Sequence, residues 1–563
     1  MGNNNQFDAI VIGSGISGGW AAKEFTEKGF KTLVLERGRN VQHLKDYPTT
    51  NKYPWEFPHR NQVPQADRDE NPVVNRCYAY KEDAMHFFVK DKEHPYVQEK
   101  PFDWIRGYQV GGKSLLWARQ TQRWSDYDFE GPARDGFAVD WPIRYKDMAP
   151  WYSYVEKFAG ISGNRDGLAA LPDGEFLPPF ELNCVETFFR GEVAKNYKDR
   201  HVIYARCAHL SHPQPVHLEQ GRAQCQNRNL CQRGCPFGGY FSSNSSTIPW
   251  AQKTGNLTLK TDAVVDSVIY DDAKGQATGV RVLDAHTKQA TEYFAPVIFV
   301  NAAALNTNLI LLNSTSKRFP NGLGNDNGLM GKYVAFHNYR GHVSAECDGF
   351  GDSIFDGRSP TSAYIPRFRN LVKQETNFLR GYAAGFSAGR GRINNNEGIG
   401  QELKNNLAST KWGGWHVGSH MMGETIPKET STVSLDSKKD EWGMPLLKIN
   451  MAYDDNDEKM VNDYHEQLSE MFAKAGFKNI KTNDSKQAPG LDIHEMGGVR
   501  MGKDPKTSLL NEWHQLHACK NVFVTDGACM TSTSTQNPSL SYMAFTARAV
   551  DHAVKELKKG SLV

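Results

Sequence analysis

The clearest pattern of apolar and polar positions stands at the start of the chain. Phe7-Asp8-Ala9-Ile10-Val11-Ile12 reads as a buried parallel strand, followed by a glycine-rich turn from Gly13 to Gly19 and a helical stretch from Trp20 to Glu27. Lys31 to Leu35 forms the next strand and ends on Glu36. Much further on, Phe299-Val300 starts a strand that enters a helix through Asn301-Ala302-Ala303-Ala304. Val522-Phe523-Val524-Thr525-Asp526-Gly527 reads as a strand, and a final helix begins near Asn537-Pro538-Ser539. Val433 to Leu447 and Met451 to Tyr453 look strand-like, and Asn456 to Ala475 has helical periodicity that stops near Gly476. The stretch from Tyr47 to Glu70, rich in Pro, Asn and charge, predicts an extended arm or lid. Gly389, Gly391, Asn395, Asn396, Gly398 and Gly400 predict a mobile loop, and no internal repeat is visible.

The first turn has dinucleotide-binding chemistry. Gly13 permits the tight turn, Gly15 lets backbone approach a pyrophosphate, and Gly18 lets the helix pack close to the strand, with the helix N-terminus facing the anion. Glu36, 23 residues after Gly13, is placed to bind both hydroxyls of an adenosine ribose and repels a 2′-phosphate, which disfavours NADP. This turn does not separate FAD from NAD. In Val110-Gly111-Gly112-Lys113-Ser114-Leu115-Leu116-Trp117 a glycine pair sits in an apolar setting, as though backbone approached a flat ring; the alternative is a simple turn.

At 563 residues the chain is long enough for two intertwined domains. Its 66 Lys and Arg balance 64 Asp and Glu, so a net charge of +2 predicts neither a nucleic-acid partner nor a polybasic membrane surface. Fifty glycines and 11% aromatic residues fit a loop-rich enzyme with a deep pocket. The mean hydropathy of -0.60 argues against an integral membrane protein, and no apolar run approaches the roughly 20 residues a membrane helix needs. The start Met1-Gly2-Asn3-Asn4-Asn5-Gln6 lacks the charged and apolar regions of a signal peptide, leaving a cytoplasmic enzyme or one exported with a partner.

Cys225, Cys231 and Cys235 form C-x5-C-x3-C, followed by Pro236. Three thiolates this close suggest a metal centre; they are too few for a closed structural zinc site and suit a small iron–sulfur cluster. A disulfide plus a free thiol, or zinc completed by His212 or His217, remain open on spacing alone. The other six cysteines, Cys77, Cys184, Cys207, Cys347, Cys519 and Cys529, are scattered and read as packing.

The C-terminal region adds His494-Glu495-Met496-Gly497-Gly498-Val499-Arg500-Met501-Gly502, then Val524-Thr525-Asp526-Gly527, then Asn537-Pro538-Ser539-Leu540-Ser541-Tyr542-Met543-Ala544. With the early turn and the glycine pair, these segments resemble the glucose-methanol-choline (GMC) oxidoreductase family, in its order and over essentially the whole chain. The resemblance implies bound FAD, hydride removal from an alcohol, and an α/β fold: a Rossmann-like FAD-binding domain interleaved with an α+β substrate domain carrying an antiparallel sheet. It assigns 1–45, 95–140, 200–335 and 485–563 to the first domain and 46–94, 141–199 and 336–484 to the second.

Within that resemblance His494 matches the general base and Asn537 the second active-site position, an apt pair because imidazole accepts a hydroxyl proton near neutrality. Gly13, Gly15, Gly18, Glu36, Gly111, Gly112, Ser114, Asp526 and Pro538 fall at cofactor-binding positions. Leu116 stands where some relatives attach FAD covalently through histidine, so the flavin is expected to be non-covalent and released by acid precipitation. His337, His416 and His420 have no comparable support, although Trp415-His416 and Met421-Met422-Gly423-Glu424 are candidates for a pocket wall. Bacterial sugar dehydrogenases of the family carry C-x5-C-x3-C-P in mid-chain and hold a 3Fe-4S cluster on it. The resemblance thus implies a dehydrogenase of gluconate 2-dehydrogenase or glucoside 3-dehydrogenase type, with a sugar or glycoside substrate. It also implies a small subunit bearing a twin-arginine signal, a cytochrome c acceptor and periplasmic location by co-export, the alternative being cytoplasmic. The competing reading is an oxygen-using pyranose oxidase whose cysteines are structural.

Overall fold

The computed structural model describes residues 5–354, 357, 361–393 and 397–562. In chain order the elements that build the site are β1 (Ala9–Ile12), α1 (Ile16–Glu27), β2 (Thr32–Leu35), β3 (Ile203–Tyr204), β4 (Leu257–Lys260), β5 (Ile298–Val300), α2 (Ala304–Asn313), β6 (His337–Asn338) and β7 (Gly341–Cys347). They continue with β8 (Ala363–Ile365), β9 (Tyr382–Gly389), β10 (Trp415–Glu424), α3 (Asp455–Lys474), β11 (Lys478–Asp484), β12 (Met496–Gly498), β13 (Gln515–Leu516), β14 (Cys519–Phe523) and α4 (Ser539–Lys559).

The first sheet has six strands in the order β13-β14-β5-β1-β2-β4. Four of its five pairings are parallel, the edge pair β13–β14 being antiparallel, and Ile10 stands opposite Leu33 on one side and Ile298 on the other. Strands covered on both faces read as unbroken apolar runs, and here the two faces divide cleanly. Val11, Val34, Phe299 and Phe523 pack against Ala21, Ala22 and Phe25 of α1 and Ala549, Val550 and Ala553 of α4. Ile10, Ile12, Leu33, Leu35, Ile298 and Val300 face the larger core on the other side.

The second sheet has seven strands, β11-β7-β10-β9-β8-β3 with β6 also paired to β10. All its pairings are antiparallel, so side chains alternate between two environments. In β10, Trp415, Val417 and Met421 join the core under α3, where Met460, Val461, Tyr464 and Leu468 are buried. His420 and Met422 face the opposite way, into a cavity between the sheets. His416 is exposed and takes no part in that wall.

Several expectations shift. The helix read from Trp20 begins at Ile16, because the turn glycines leave it room to start earlier. Met451 to Tyr453 is not a strand; the pairing of Pro445–Asn450 ends before it. Ile203–Tyr204 pairs with β8 at the edge of the second sheet, and Val97–Gln98 pairs with Pro445–Asn450, so both strands cross the segment boundaries expected from sequence. The stretch from Tyr47 to Glu70 is no extended arm. Its prolines and asparagines make short turns, a single helical turn at Pro54–Glu56 and a helix at Gln65–Glu70. Tyr47, Val63, Val73 and Val74 then pack into a core with Phe87, Ile105 and Leu115. The loop at Gly389 to Gly400 includes Asn395 and Asn396, which lie outside the described residues.

Candidate active site and cysteine centre

Between the sheets lies a cavity of about 510 Å3. Gly13, Gly15 and Glu36 line one end, Gly112 and Ser114 a wall, and His494, Asp526, Asn537 and Pro538 another stretch of its lining. Gly18 and Gly111 shape the cavity without lining it.

The glycines differ in what they permit. Gly13 has φ +94°, and a Cβ there would lie 2.3 Å from the Asn301 carbonyl; one at Gly18 would lie 1.9 Å from the Gly13 carbonyl. These two let strand and helix approach. A Cβ at Gly15 would meet nothing within 4 Å, so that position opens onto the cavity. The N-terminus of α1 begins there with no side-chain cap, leaving its N–H groups for an anion. Glu36 accepts from the Ser14 N–H and hydroxyl through one oxygen and from the Gly38 N–H at 2.9 Å through the other, and burial raises its pKa. Ser17 Oγ and Asn301 Nδ2, both of lining residues, are buried without a partner. An uncapped helix start, an open glycine, a buried carboxylate and unpartnered donors together fit the pyrophosphate and ribose of a dinucleotide.

The glycine pair is braced from behind. Gly111 has φ +87°, and a Cβ would fall 1.6 Å from the Asn244 side-chain oxygen. Asn244 Nδ2 donates to the Val41 and Val110 carbonyls at 2.6 and 2.7 Å. Ser114 donates to the Gly111 carbonyl and accepts from the Ser243 N–H, which locks the turn.

His494 lies two residues before β12, and Asn537 just before α4. Their facing atoms, Nε2 and Nδ2, are 3.3 Å apart. Behind His494, its Nδ1 lies 2.9 Å from Nδ1 of His337, a residue of β6. Asp492 accepts from the backbone N–H of both histidines, at 2.9 and 3.2 Å. Burial holds His494 well below its ordinary range, with His337 and Lys113 adding to the effect; burial also takes His337 to about 4 and raises Asp492 to about 7. His494 is therefore a neutral imidazole at neutral pH, free to accept a proton. Lys113, on the cavity wall, is paired with Glu495 at 3.0 Å. Asp526 accepts from Thr307 and the Ala528 N–H, and burial raises it to about 6.

This arrangement meets its relatives in the comparisons. Profiles of the GMC oxidoreductase family match residues 7–326 and 427–546. The chain is a GMC oxidoreductase. It is similar to 2-methyl-1,2-propanediol dehydrogenase of Mycolicibacterium austroafricanum, 28% identical over 97% of this chain and 95% of that one. It is also similar to the fructose dehydrogenase large subunit of Gluconobacter japonicus, 25% identical over 98% of each. Among solved structures, Aspergillus oryzae formate oxidase, crystallised in a study of FAD modification, superposes over 100% of both chains with a TM-score of 0.60 at 14% identity. This GMC oxidoreductase is thus an FAD-dependent enzyme acting on a CH–OH group. When bound, FAD supplies the hydride acceptor. Glu36 and the α1 N-terminus would hold its ribose and pyrophosphate, and Gly112, Ser114 and Asp526 line the same cavity. A substrate hydroxyl brought up to His494 Nε2 and Asn537 Nδ2 from the cavity would meet one proton acceptor and one donor.

Cys225, Cys231 and Cys235 line a second, small cavity of about 30 Å3 together with His209 and Tyr240. No disulfide joins any of the three. His212 is exposed, and His217 spends its ring on the Gln214 N–H and the Lys157 carbonyl; neither lines this cavity. The zinc completions read from spacing are therefore not built. Around the sulfurs, the Gly239 N–H donates to Cys235 Sγ at 3.3 Å, His209 Nε2 lies 3.8 Å from Cys231 Sγ, and the buried Arg119 and Arg222 supply positive charge nearby. A Cβ at Gly239 would sit 3.0 Å from the Cys225 Cα, so the two segments of the loop pass in tight contact there.

Sequence reasoning named His337 without giving it a role and missed Asp492, His209 and the Lys113–Glu495 pair. Lys113 stood in the glycine-pair segment and Glu495 beside His494; Asp492 and His209 carried no signal.

Proposed function

We propose that this enzyme is the flavoprotein subunit of a sugar dehydrogenase that oxidises a secondary hydroxyl of a pyranose or glycoside. Its FAD is non-covalent, Leu116 standing at the attachment position. Electrons leave singly through a 3Fe-4S cluster on Cys225, Cys231 and Cys235 to an external acceptor. The observation that carries this reading is a shared wall. Arg119 Nη2 donates at 3.1 Å both to Leu115 of the glycine-pair segment and to Cys231, and Tyr240 donates to the same Leu115 carbonyl at 2.9 Å. Tyr78 lines the larger cavity while its hydroxyl bonds Gln232, next to Cys231. The cysteine centre thus stands one residue's thickness behind the flavin cavity.

C3 of a glucoside is favoured over C2 of gluconate: Lys113, the cation beside the catalytic pair, is already paired with Glu495. A small aliphatic diol is the second reading, favoured by the Mycolicibacterium relative. The name "large subunit" of the fructose dehydrogenase relative supports a smaller partner here; that the partner bears a twin-arginine signal, that a cytochrome c takes the electrons and that the complex is periplasmic by co-export belong to the same proposal.

Anaerobic flavin bleaching against glucosides, gluconate and 2-methyl-1,2-propanediol, with iron and labile sulfide assayed on the same sample, tests the whole reading. Bleaching by a glucoside with three irons per chain supports it. Iron-free protein that releases peroxide in air overturns it in favour of an oxidase.

A further inference from the structure

The two ring nitrogens of His337 face different partners. Its Nε2 points at the carbonyl oxygens of Thr533 and Ser534, 3.1 Å from each. Its Nδ1 points at Nδ1 of His494, 2.9 Å away. Carbonyl oxygens only accept, so Nε2 of His337 must carry a proton. The ring is fully buried and neutral, hence its Nδ1 carries a lone pair. At 2.9 Å two lone pairs repel, so the proton between the histidines belongs to His494 Nδ1. That leaves the lone pair of His494 on Nε2, the atom facing Asn537 and the cavity.

We propose that His337 is the positioning residue that fixes the tautomer and ring plane of His494, so that Nε2 is the basic atom. The proposal rests on His494 acting as the base. The surroundings hold His337 in turn. Ser534, whose carbonyl takes the Nε2 proton, has φ +60°, a left-handed conformation that serine rarely adopts. Its hydroxyl donates to Asp128 at 2.7 Å and is also bonded to Gln536. Asp492 ties the two histidine backbones together from the other side.

The step then balances simply. The hydroxyl O–H bond breaks and its proton goes to His494 Nε2, while the C–H hydride goes to the flavin as in the family reaction. The imidazolium keeps its Nδ1–H bond to neutral His337. His337 passes no proton onward, because its far nitrogen already carries one and meets only carbonyl acceptors. It works as the orienting carboxylate of a hydrolase triad does, without the charge.

The test has two arms. In wild-type, FAD-loaded enzyme, 15N spectra of the imidazoles, assigned by loss of signals in H494N, are expected to show His494 with an unprotonated Nε2. In H337F, which cannot accept the Nδ1 proton, substrate-driven flavin reduction at saturating substrate is expected to fall on the order of 10²-fold, with half-saturation and FAD content unchanged. H337Q, whose side chain has both an acceptor and a donor, is expected to stay within about tenfold of wild type. A His494 protonated on Nε2 in wild type overturns the proposal even if H337F fails to fold, as does folded, FAD-loaded H337F at the wild-type rate. Retention of full flavin reduction by H494N would instead sink the assignment of the base, which is a separate failure.

Discussion

The Arg119 guanidinium donates to the backbone carbonyl of Cys231 at 3.1 Å. Arg119 is 3% exposed and also lies over the Tyr240 ring, 4.1 Å from its centroid, so it is held from three sides. Replacing it with methionine keeps the bulk and removes the bond that Arg119 gives the Cys231 carbonyl; a hydrogen bond from a charged donor contributes about 1.5–3 kcal/mol. R119M is expected to lower iron content or acceptor reduction at least severalfold, while anaerobic flavin reduction stays near wild type because Tyr240 still anchors Leu115. Equal loss in both half-reactions would show that Arg119 serves the fold and not the cysteine loop.

The electron exit has its own direct test. Cys231→Ser keeps the loop's shape and removes one sulfur, so substrate-driven bleaching is expected to persist while cytochrome or dye reduction by a one-electron acceptor is abolished. Unchanged acceptor reduction would falsify the relay.

The three glycines of the first turn are expected to separate binding from folding. A methyl group at Gly15 meets no atom of the protein within 4 Å, whereas at Gly18 it falls 1.9 Å from the Gly13 carbonyl. G15A is therefore expected to yield folded chain whose FAD affinity drops by about tenfold or more, read by flavin titration, because the methyl occupies the space an anion would enter. G18A is expected to give insoluble or destabilised chain regardless of added FAD. A G15A chain that binds FAD as wild type does would place the pyrophosphate elsewhere.

Much of this site was legible because its chemistry is local. The demands of a strand–turn–helix on Gly13, Gly18 and Glu36 are set by atoms within a few residues, or by a neighbouring strand whose apolar run announces it. The His337–His494 contact is different: it spans 157 positions, and β6 is two residues long, too short for any periodicity. The stretch from Tyr47 to Glu70 misled because prolines and asparagines mark turns without saying what the valines between them cover. Near the cysteines, closeness in sequence pointed to His212 and His217. The backbone instead turns His209 inward through its pairing with Tyr240 and leaves His212 in solvent.

Asp457, in the first turn of α3, gives a prediction about stability and pH. It is 2% exposed, one carboxylate oxygen accepts from the Asp454 N–H at 3.0 Å, and the other has no partner. Burial, helped by the neighbouring Asp454 charge, raises it from 3.8 to about 7. Between those two values the folded chain holds a proton that the unfolded chain has released. Stability from this group is therefore fully present below about pH 4, is lost as pH rises toward 7, and is constant above that. Asn mimics the protonated acid and does not titrate. D457N is thus expected to gain on wild type steadily from pH 4 to 7 and to hold its advantage at pH 8, by at most about 4 kcal/mol. For a chain of this size that is about 3 °C in Tm. Scanning calorimetry of both proteins at pH 5 and pH 8 reads the difference, and an advantage no larger at pH 8 than at pH 5 would show that Asp457 is already ionised in the fold at pH 5.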